Sequence, residues 1–363
     1  MLKNSKIIIC GGGTGGHLFP AMAIKTELVK NGADVMYIGS KFGIESSQLK
    51  HSKNSFFLNI KGMHRTISIS NIVDNLKLPF RIFWGILKSL KLIYNFDPKL
   101  VIGTGGYSSG LPLISAVILR KKILLQEQNS YPGITTRTLS RFANIICISY
   151  KESKKYLQNN VVFSGNPIRA DFIKTDKKYA KLNLNLNKNK FTIFICGGSQ
   201  GSKPINNHVI KNLSFYNNLN ATIIWQCGKN HYKNIKILNL DKNIFLFDFI
   251  QDISKIYSAA DLIISRSGAL TLTEINYFGK ASILIPFPTA AGNHQYKNAL
   301  FSQNAKAAII IEQNQLIKGK LEHTINYLLS NPNRLLKMET ASKAISKSDS
   351  MEIIINEIKS LLC

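Results

Sequence analysis

The chain opens the same local pattern twice. Residues Lys6–Cys10 are a short β-rich apolar run that ends in a glycine-rich turn, 11–16, and a helical pattern then continues to about residue 31. Residues Phe191–Cys196 repeat the run, 197–201 repeat the turn, and a second helical pattern follows. A strand, a glycine turn and a helix form the first unit of a doubly wound α/β domain. Such a turn offers the free N–H groups of a helix start to anionic oxygen. Two openings predict two Rossmann-like domains, and 363 residues suffice for each to bury its own core.

Short apolar runs alternate with helical patterns after each opening. They predict strands at 35–39, 100–103, 123–127 and 144–149, then at 222–226, 244–247, 262–265 and 282–286. Continuous apolar runs suit parallel strands covered on both faces. The turn-rich stretch 164–167 divides a first domain, 1–164, from a second, 165–340. The last helix, within about 341–363, is expected to pack back on the first domain.

The formal charge is +27, from 47 basic and 20 acidic residues. Abundant Lys, Asn and Ile point to compositional drift as one source, so the placement of the charge matters more than its total. In 61–94, Lys61, Arg65, Lys77, Arg81, Lys88 and Lys91 stand against the single acid Asp74, interleaved with Ile72, Leu76, Leu78, Pro79, Phe80, Ile82, Phe83 and Trp84. Basic and apolar groups together suit the interface of an anionic leaflet. Docking is expected through Phe80, Phe83, Trp84, Lys77, Arg81 and Lys88; a core helix with lysines at its rim is the alternative. No apolar run reaches the roughly 18 residues of a membrane span, and no secretory leader or nucleic-acid-reading motif is apparent. The five cysteines show no C-x-x-C spacing, which argues for reduced thiols and against a zinc site.

Gly11, Gly13 and Gly16 satisfy G-x-G-x-x-G. A dinucleotide-dependent oxidoreductase would add an acid at the end of the second strand to hold ribose hydroxyls, and 37–40 contain none. The turn ends instead in His17, an ionisable group at a helix start. In the second half, Arg266, Ser267 and Gly268 lead into a helix that carries Glu274, placed to grip two vicinal ribose hydroxyls. Gln295 and Asn298 share one face of a later helix and suit sugar hydroxyls. With phosphate-ready turns in both halves, a cleft between two domains is expected. No D-x-D occurs, so no metal is required, although a divalent cation is compatible with the reading.

Taken together, the chain resembles the MurG family of bacterial transferases. The resemblance runs along nearly the whole chain, through 11–17, 105–107, 127–129, 165–169, 197–201, 266–274 and His294, Gln295 and Asn298. Gln126, where the family often has His, and the loop 289–293 depart from it. The resemblance implies a GT-B fold of two Rossmann-like domains. It implies an inverting transfer of N-acetylglucosamine from UDP-N-acetylglucosamine to a lipid-linked muramyl-peptide at the cytoplasmic face of the cell membrane. Arg169, Ser199, Ile250, Ala269, Leu270, Thr271, Leu272, Thr273, Glu274 and Gln295 would bind the donor, with Ile250 meeting uracil through its backbone. Thr14, Gly15, Gly16 and Asn129 would line the cleft from the other side, and Tyr107 would serve the acceptor. His17 is the first candidate for the catalytic base and Glu127 the second. A UDP-N-acetylglucosamine epimerase is the nearest alternative.

Overall fold

The computed structural model describes residues 2–62, 74–169 and 171–363, so the readings at Arg65 and Ile72 lie outside the described residues. The chain forms two compact units, Met1–Arg169 with Ser348–Cys363, and Ala170–Lys347.

In the first unit, β1 (Lys6–Cys10), β2 (Asp34–Ser40), β3 (Ser55–Leu58), β4 (Leu100–Gly103), β5 (Lys122–Glu127), β6 (Ile145–Ile148) and β7 (Val161–Phe163) form one sheet. Its order is β3-β2-β1-β4-β5-β6-β7, and all pairs are parallel. In the second unit, β8 (Phe191–Cys196), β9 (Ala221–Gln226), β10 (Ile244–Phe247), β11 (Leu262–Ser265), β12 (Ala281–Leu284) and β13 (Ala308–Ile310) form another. Its order is β10-β9-β8-β11-β12-β13, again wholly parallel. In both sheets the order reverses beside the strand that opens the repeat, at β1/β4 and at β8/β11. Ligands of such sheets bind beyond the carboxyl ends of the strands at that switch point.

Ile7, Ile9, Leu100, Ile102 and Leu124 face one core of the first sheet, and Ile8, Val101, Ile123, Leu125 and Ile146 face the other. The helix Ser350–Leu362 returns to this unit and buries Ile354, Ile355 and Ile358 in the first of these cores. The helix Pro332–Ala344 stays with the second unit, so the returning segment is shorter than 341–363. The polar run 346–349 separates the two helices. The second unit packs Ile193, Ile195, Trp225, Ile264 and Ile283 into its own core.

The helix Leu78–Phe96 buries only the stripe Gly85, Ser89 and Ile93. Gly85 lets it approach the helix Tyr107–Ile118, because a Cβ there would stand 2.5 Å from Leu111 Cδ1. Its other face is exposed: Phe80 at 73%, Phe83 at 58% and Trp84 at 66%. The core-helix alternative therefore fails for these three side chains. Lys77 and Lys88 are also exposed, whereas Arg81 is half-buried over the Phe42 ring. No described helix is long and apolar enough to cross a membrane.

Candidate active site

The glycine turn follows β1, Tyr107 follows β4, and Glu127 with Asn129 closes β5, so one end of the first sheet gathers these groups. The turn is pinned by Glu45, a residue without a role in the sequence reading. Fully buried, its carboxylate accepts from Gly13 N at 2.8 Å and Ser40 N at 2.9 Å. Tyr37 donates to the Gly11 carbonyl, and Gly12 N donates to Gly105 O at 3.4 Å. An acid thus does reach this loop, but backbone amides hold it. Thr14 and Gly16 are left exposed at the start of the helix Gly15–Lys30, which no side chain caps. Gly106 has φ +79°, and a Cβ there would lie 2.2 Å from Gly12 O, so only glycine brings the two turns together. Tyr107 packs its ring against Gly13, and burial raises its hydroxyl pKa.

His17 Nδ1 lies 3.0 Å from the Thr104 carbonyl oxygen and 2.9 Å from Gln128 Oε1. A backbone carbonyl can only accept, so Nδ1 carries the proton of the neutral ring and Nε2 keeps its lone pair. Glu127 is placed differently. It is 1% exposed, and its oxygens accept from Asn129 N at 3.1 Å, Asn129 Nδ2 at 3.2 Å and Gly133 N at 3.2 Å. Its carboxylate folds the loop that presents Asn129. Arg169 belongs to this unit and sets its guanidinium 5.9 Å from the Phe19 ring centroid.

In the second unit the turn 197–201 holds Ser199 exposed at its tip. Gly201 has φ +73°, and a Cβ there would lie 1.9 Å from Cys227 O. Gln226 braces this turn, donating to Gly198 O at 3.1 Å while its Oε1 accepts from Ile250 N at 3.0 Å. The Ile250 N–H is therefore committed, and the group it has left to offer a base is its carbonyl. Arg266 is buried among acceptors without a carboxylate: Ile285 O and Pro286 O at 3.0 Å each, Ser202 Oγ at 2.8 Å and Gln313 Oε1 at 2.6 Å. Burial lowers its pKa to about 10, which keeps it cationic at neutral pH.

The helix Ala269–Phe278 starts after Gly268 with no side-chain cap and no acid in its first turn. Its leading amides are open to an anion. Leu272 is a correction to the sequence reading: its N–H donates to Gly268 O at 3.0 Å and its side chain is buried in the core, so it offers a ligand neither. Ala269 is also buried, and Thr273 Oγ1 donates back to Ala269 O at 2.9 Å, whereas Leu270 and Thr271 are half-buried. Glu274 accepts from Tyr257 OH at 2.9 Å. Gln295 accepts from Phe287 N at 3.0 Å, and its carbonyl accepts from Ser267 Oγ at 2.8 Å, which ties it to the turn before that helix. Among the described residues no three His, Cys, Asp or Glu side chains gather as a metal site.

Residues 7–148 match the glycosyltransferase family 28 N-terminal domain, and residues 192–354 match the family's C-terminal domain. The chain belongs to glycosyltransferase family 28. Its family 28 relatives include proteins named UDP-N-acetylglucosamine–N-acetylmuramyl-(pentapeptide) pyrophosphoryl-undecaprenol N-acetylglucosamine transferase. One from Thermoanaerobacter sp. (strain X514) is 36% identical, over 98% of this chain and 100% of its own length. Another, from Flavobacterium psychrophilum, is 35% identical over 99% of each. The crystal structure of Acinetobacter baumannii MurG matches with a TM-score of 0.76 at 26% identity, covering 98% of this chain and 99% of that one. A UDP-GlcNAc 2-epimerase from Neisseria meningitidis, bound to UDP-GlcNAc, shares the fold at a TM-score of 0.68 and 15% identity, over 98% and 100% of the two chains. The MurG resemblance and the GT-B class of fold read from the sequence are borne out.

The sequence reading missed Glu45 and Thr104 in the first unit and Gln226 in the second. Their work is to hold turns, and they stand outside the glycine motifs. Gln128 and Arg266 lie inside quoted motifs but carried no assigned role.

Proposed function

We propose that this family 28 chain transfers N-acetylglucosamine from UDP-N-acetylglucosamine to the 4-hydroxyl of the muramyl sugar of undecaprenyl-pyrophosphoryl-N-acetylmuramyl-peptide, with inversion, in peptidoglycan synthesis. The observation that carries the chemistry is His17, with Nδ1 held by a carbonyl and Nε2 left as a lone pair. In a single displacement the acceptor oxygen attacks the anomeric carbon and gives up its proton. The bond to UDP breaks, and the diphosphate leaves with the electron pair. His17 Nε2 takes the proton, and Tyr107, Asn129 and the turn Thr14, Gly15 and Gly16 orient the sugar beside it.

The second unit supplies the donor groups. The Ile250 carbonyl meets uracil N–H, Glu274 the ribose hydroxyls, Ser199 the diphosphate and Gln295 the sugar. The open amides ahead of Thr271, supported by the buried Arg266 cation, stabilise charge on the leaving diphosphate. Arg169 is the further cation that the resemblance implies for the donor. No step requires a divalent cation. The exposed Phe80, Phe83 and Trp84, with Lys77, Arg81 and Lys88, support peripheral docking on the cytoplasmic face of an anionic membrane, where the acceptor lipid resides.

Full-length relatives that carry the transferase name at 35–36% identity favour this reading over the epimerases, at 15%. The test is incubation with labelled UDP-N-acetylglucosamine and the lipid-linked acceptor. Label is expected in the lipid, and turnover is expected to persist in EDTA. An epimerised nucleotide sugar, with none of the label in lipid, would hand the chain to the epimerases.

A further inference from the structure

Gln128 is 1% exposed and sits in a closed network of uncharged groups. Its amide nitrogen donates to Thr104 O at 2.8 Å and Gln126 O at 3.0 Å, and stands 2.5 Å from Gln126 Oε1. Gln126 in turn donates to Asn166 Oδ1 at 3.1 Å, an oxygen that also accepts from Ser149 Oγ at 2.6 Å. Asn166 Nδ2 closes the ring on Gln128 O at 3.2 Å. A half-turn of the Gln128 amide would drive its oxygen against the Thr104 and Gln126 carbonyls, so Oε1 is held towards His17 Nδ1.

We infer that Gln128 is a positioning residue: with Gln126 and Asn166 behind it, it joins the Thr104 carbonyl in holding the His17 ring in the Nδ1–H tautomer and aims Nε2 at the acceptor hydroxyl. The arm contains no carboxylate, so it orients the imidazole without attaching an anion to it. The charged groups on neighbouring elements have other partners. Glu45 is held by the amides of Gly13 and Ser40, Glu127 by those of Asn129 and Gly133, and Arg169 lies over Phe19. Tyr107 keeps its proton, because burial raises its pKa. Gln126, where the resemblance departs from the usual His, is thereby a working part of the arm. The effect on rate rests on the transferase reading; the effect on the tautomer does not.

Nitrogen-15 spectra of the full chain, with its seven histidines labelled and His17 identified by the His17→Ala spectrum, read the tautomer directly. In the parent, His17 is expected to carry its neutral-form proton on Nδ1. Gln128→Met keeps the side-chain length and removes the acceptor. It should raise the Nε2–H share and lower kcat about tenfold, a fraction of the full worth of a general base, with UDP affinity unchanged. Gln126→Met should act in the same direction through the loosened Gln128, and it serves if Gln128→Met does not fold. A parent ring protonated on Nε2, or a Gln128→Met protein with the parent's tautomer and kcat, would overturn the assignment. A parent that holds Nδ1–H yet transfers no sugar would sink the transferase reading and leave the assignment standing.

Discussion

A general base needs a lone pair that a substrate can reach, and His17 and Glu127 differ on that point. His17 is half-buried with one nitrogen committed, whereas Glu127 is buried with both oxygens accepting N–H groups from its own loop. His17→Ala is expected to lower kcat by about 100- to 10,000-fold, the usual range for a lost base, with UDP affinity little changed. Glu127→Gln would replace one acceptor oxygen by an amide NH2 that faces an N–H. It should cost about 1–3 kcal/mol of stability, the penalty of a mispaired buried group, and disorder the Asn129 loop. Thermal melting and kcat of both variants decide the matter. A stable, inactive Glu127→Gln beside an active His17→Ala would pass the base to Glu127. His17 stands out in the sequence as a titratable residue at the end of a glycine turn, where a helix-capping or packing role is the alternative reading. Glu45 does not, because the contact that matters crosses from the short helix Glu45–Gln48 to Gly13, and no local pattern records that pairing.

Among the elements, each strand that was read from a buried apolar run is present within two residues of its expected ends. β3, β7 and β13 went unread. They are three or four residues long, lie at sheet edges and are only partly buried, so they lack the continuous run that marks a strand covered on both faces. Lys280, between the αL cap Gly279 and β12, is an element-scale cost that composition hides among 47 basic residues. It is buried and donates to Ser258 O at 3.0 Å and Ala260 O at 2.8 Å, and desolvation brings its pKa down to about 8 from 10.5. Between those values the unfolded chain keeps a proton that the folded chain has released. Lys280 therefore disfavours folding below that window, and its penalty fades as pH rises through it. Lys280→Met should melt higher than the parent at pH 7, with the advantage shrinking between pH 8 and pH 10.5. A variant that melts lower at every pH, with a constant difference, would show that the two carbonyl hydrogen bonds outweigh the desolvation.

A net charge of +27 draws the whole molecule towards any anionic surface, so attraction alone does not identify a docking face. The first unit adds what charge cannot: three large side chains, Phe80, Phe83 and Trp84, held outward on one helix because Gly85, Ser89 and Ile93 occupy its buried stripe. Asp74, the acid of that stretch, is answered by Lys61 at 2.9 Å and Arg81 at 3.4 Å, which leaves Lys77, Lys88 and Lys91 as exposed cations on the aromatic helix and at its start. Insertion of apolar groups and attraction by cations respond differently to salt, since only the second is screened within roughly 10 Å at 0.1 M. Phe80→Ser, Phe83→Ser and Trp84→Ser together should therefore sharply reduce sedimentation with vesicles of mixed anionic and zwitterionic lipid, and the residual binding should vanish as salt is raised. The control removes charge elsewhere: Lys229→Ser, Lys233→Ser and Lys236→Ser on the second unit's helix Lys229–Lys236 take away three charges and no aromatic ring. That variant should sediment nearly as the parent does, and both variants should bind UDP as the parent does. Equal loss in the two variants would mean that overall charge, and not the aromatic face, brings the protein to the membrane.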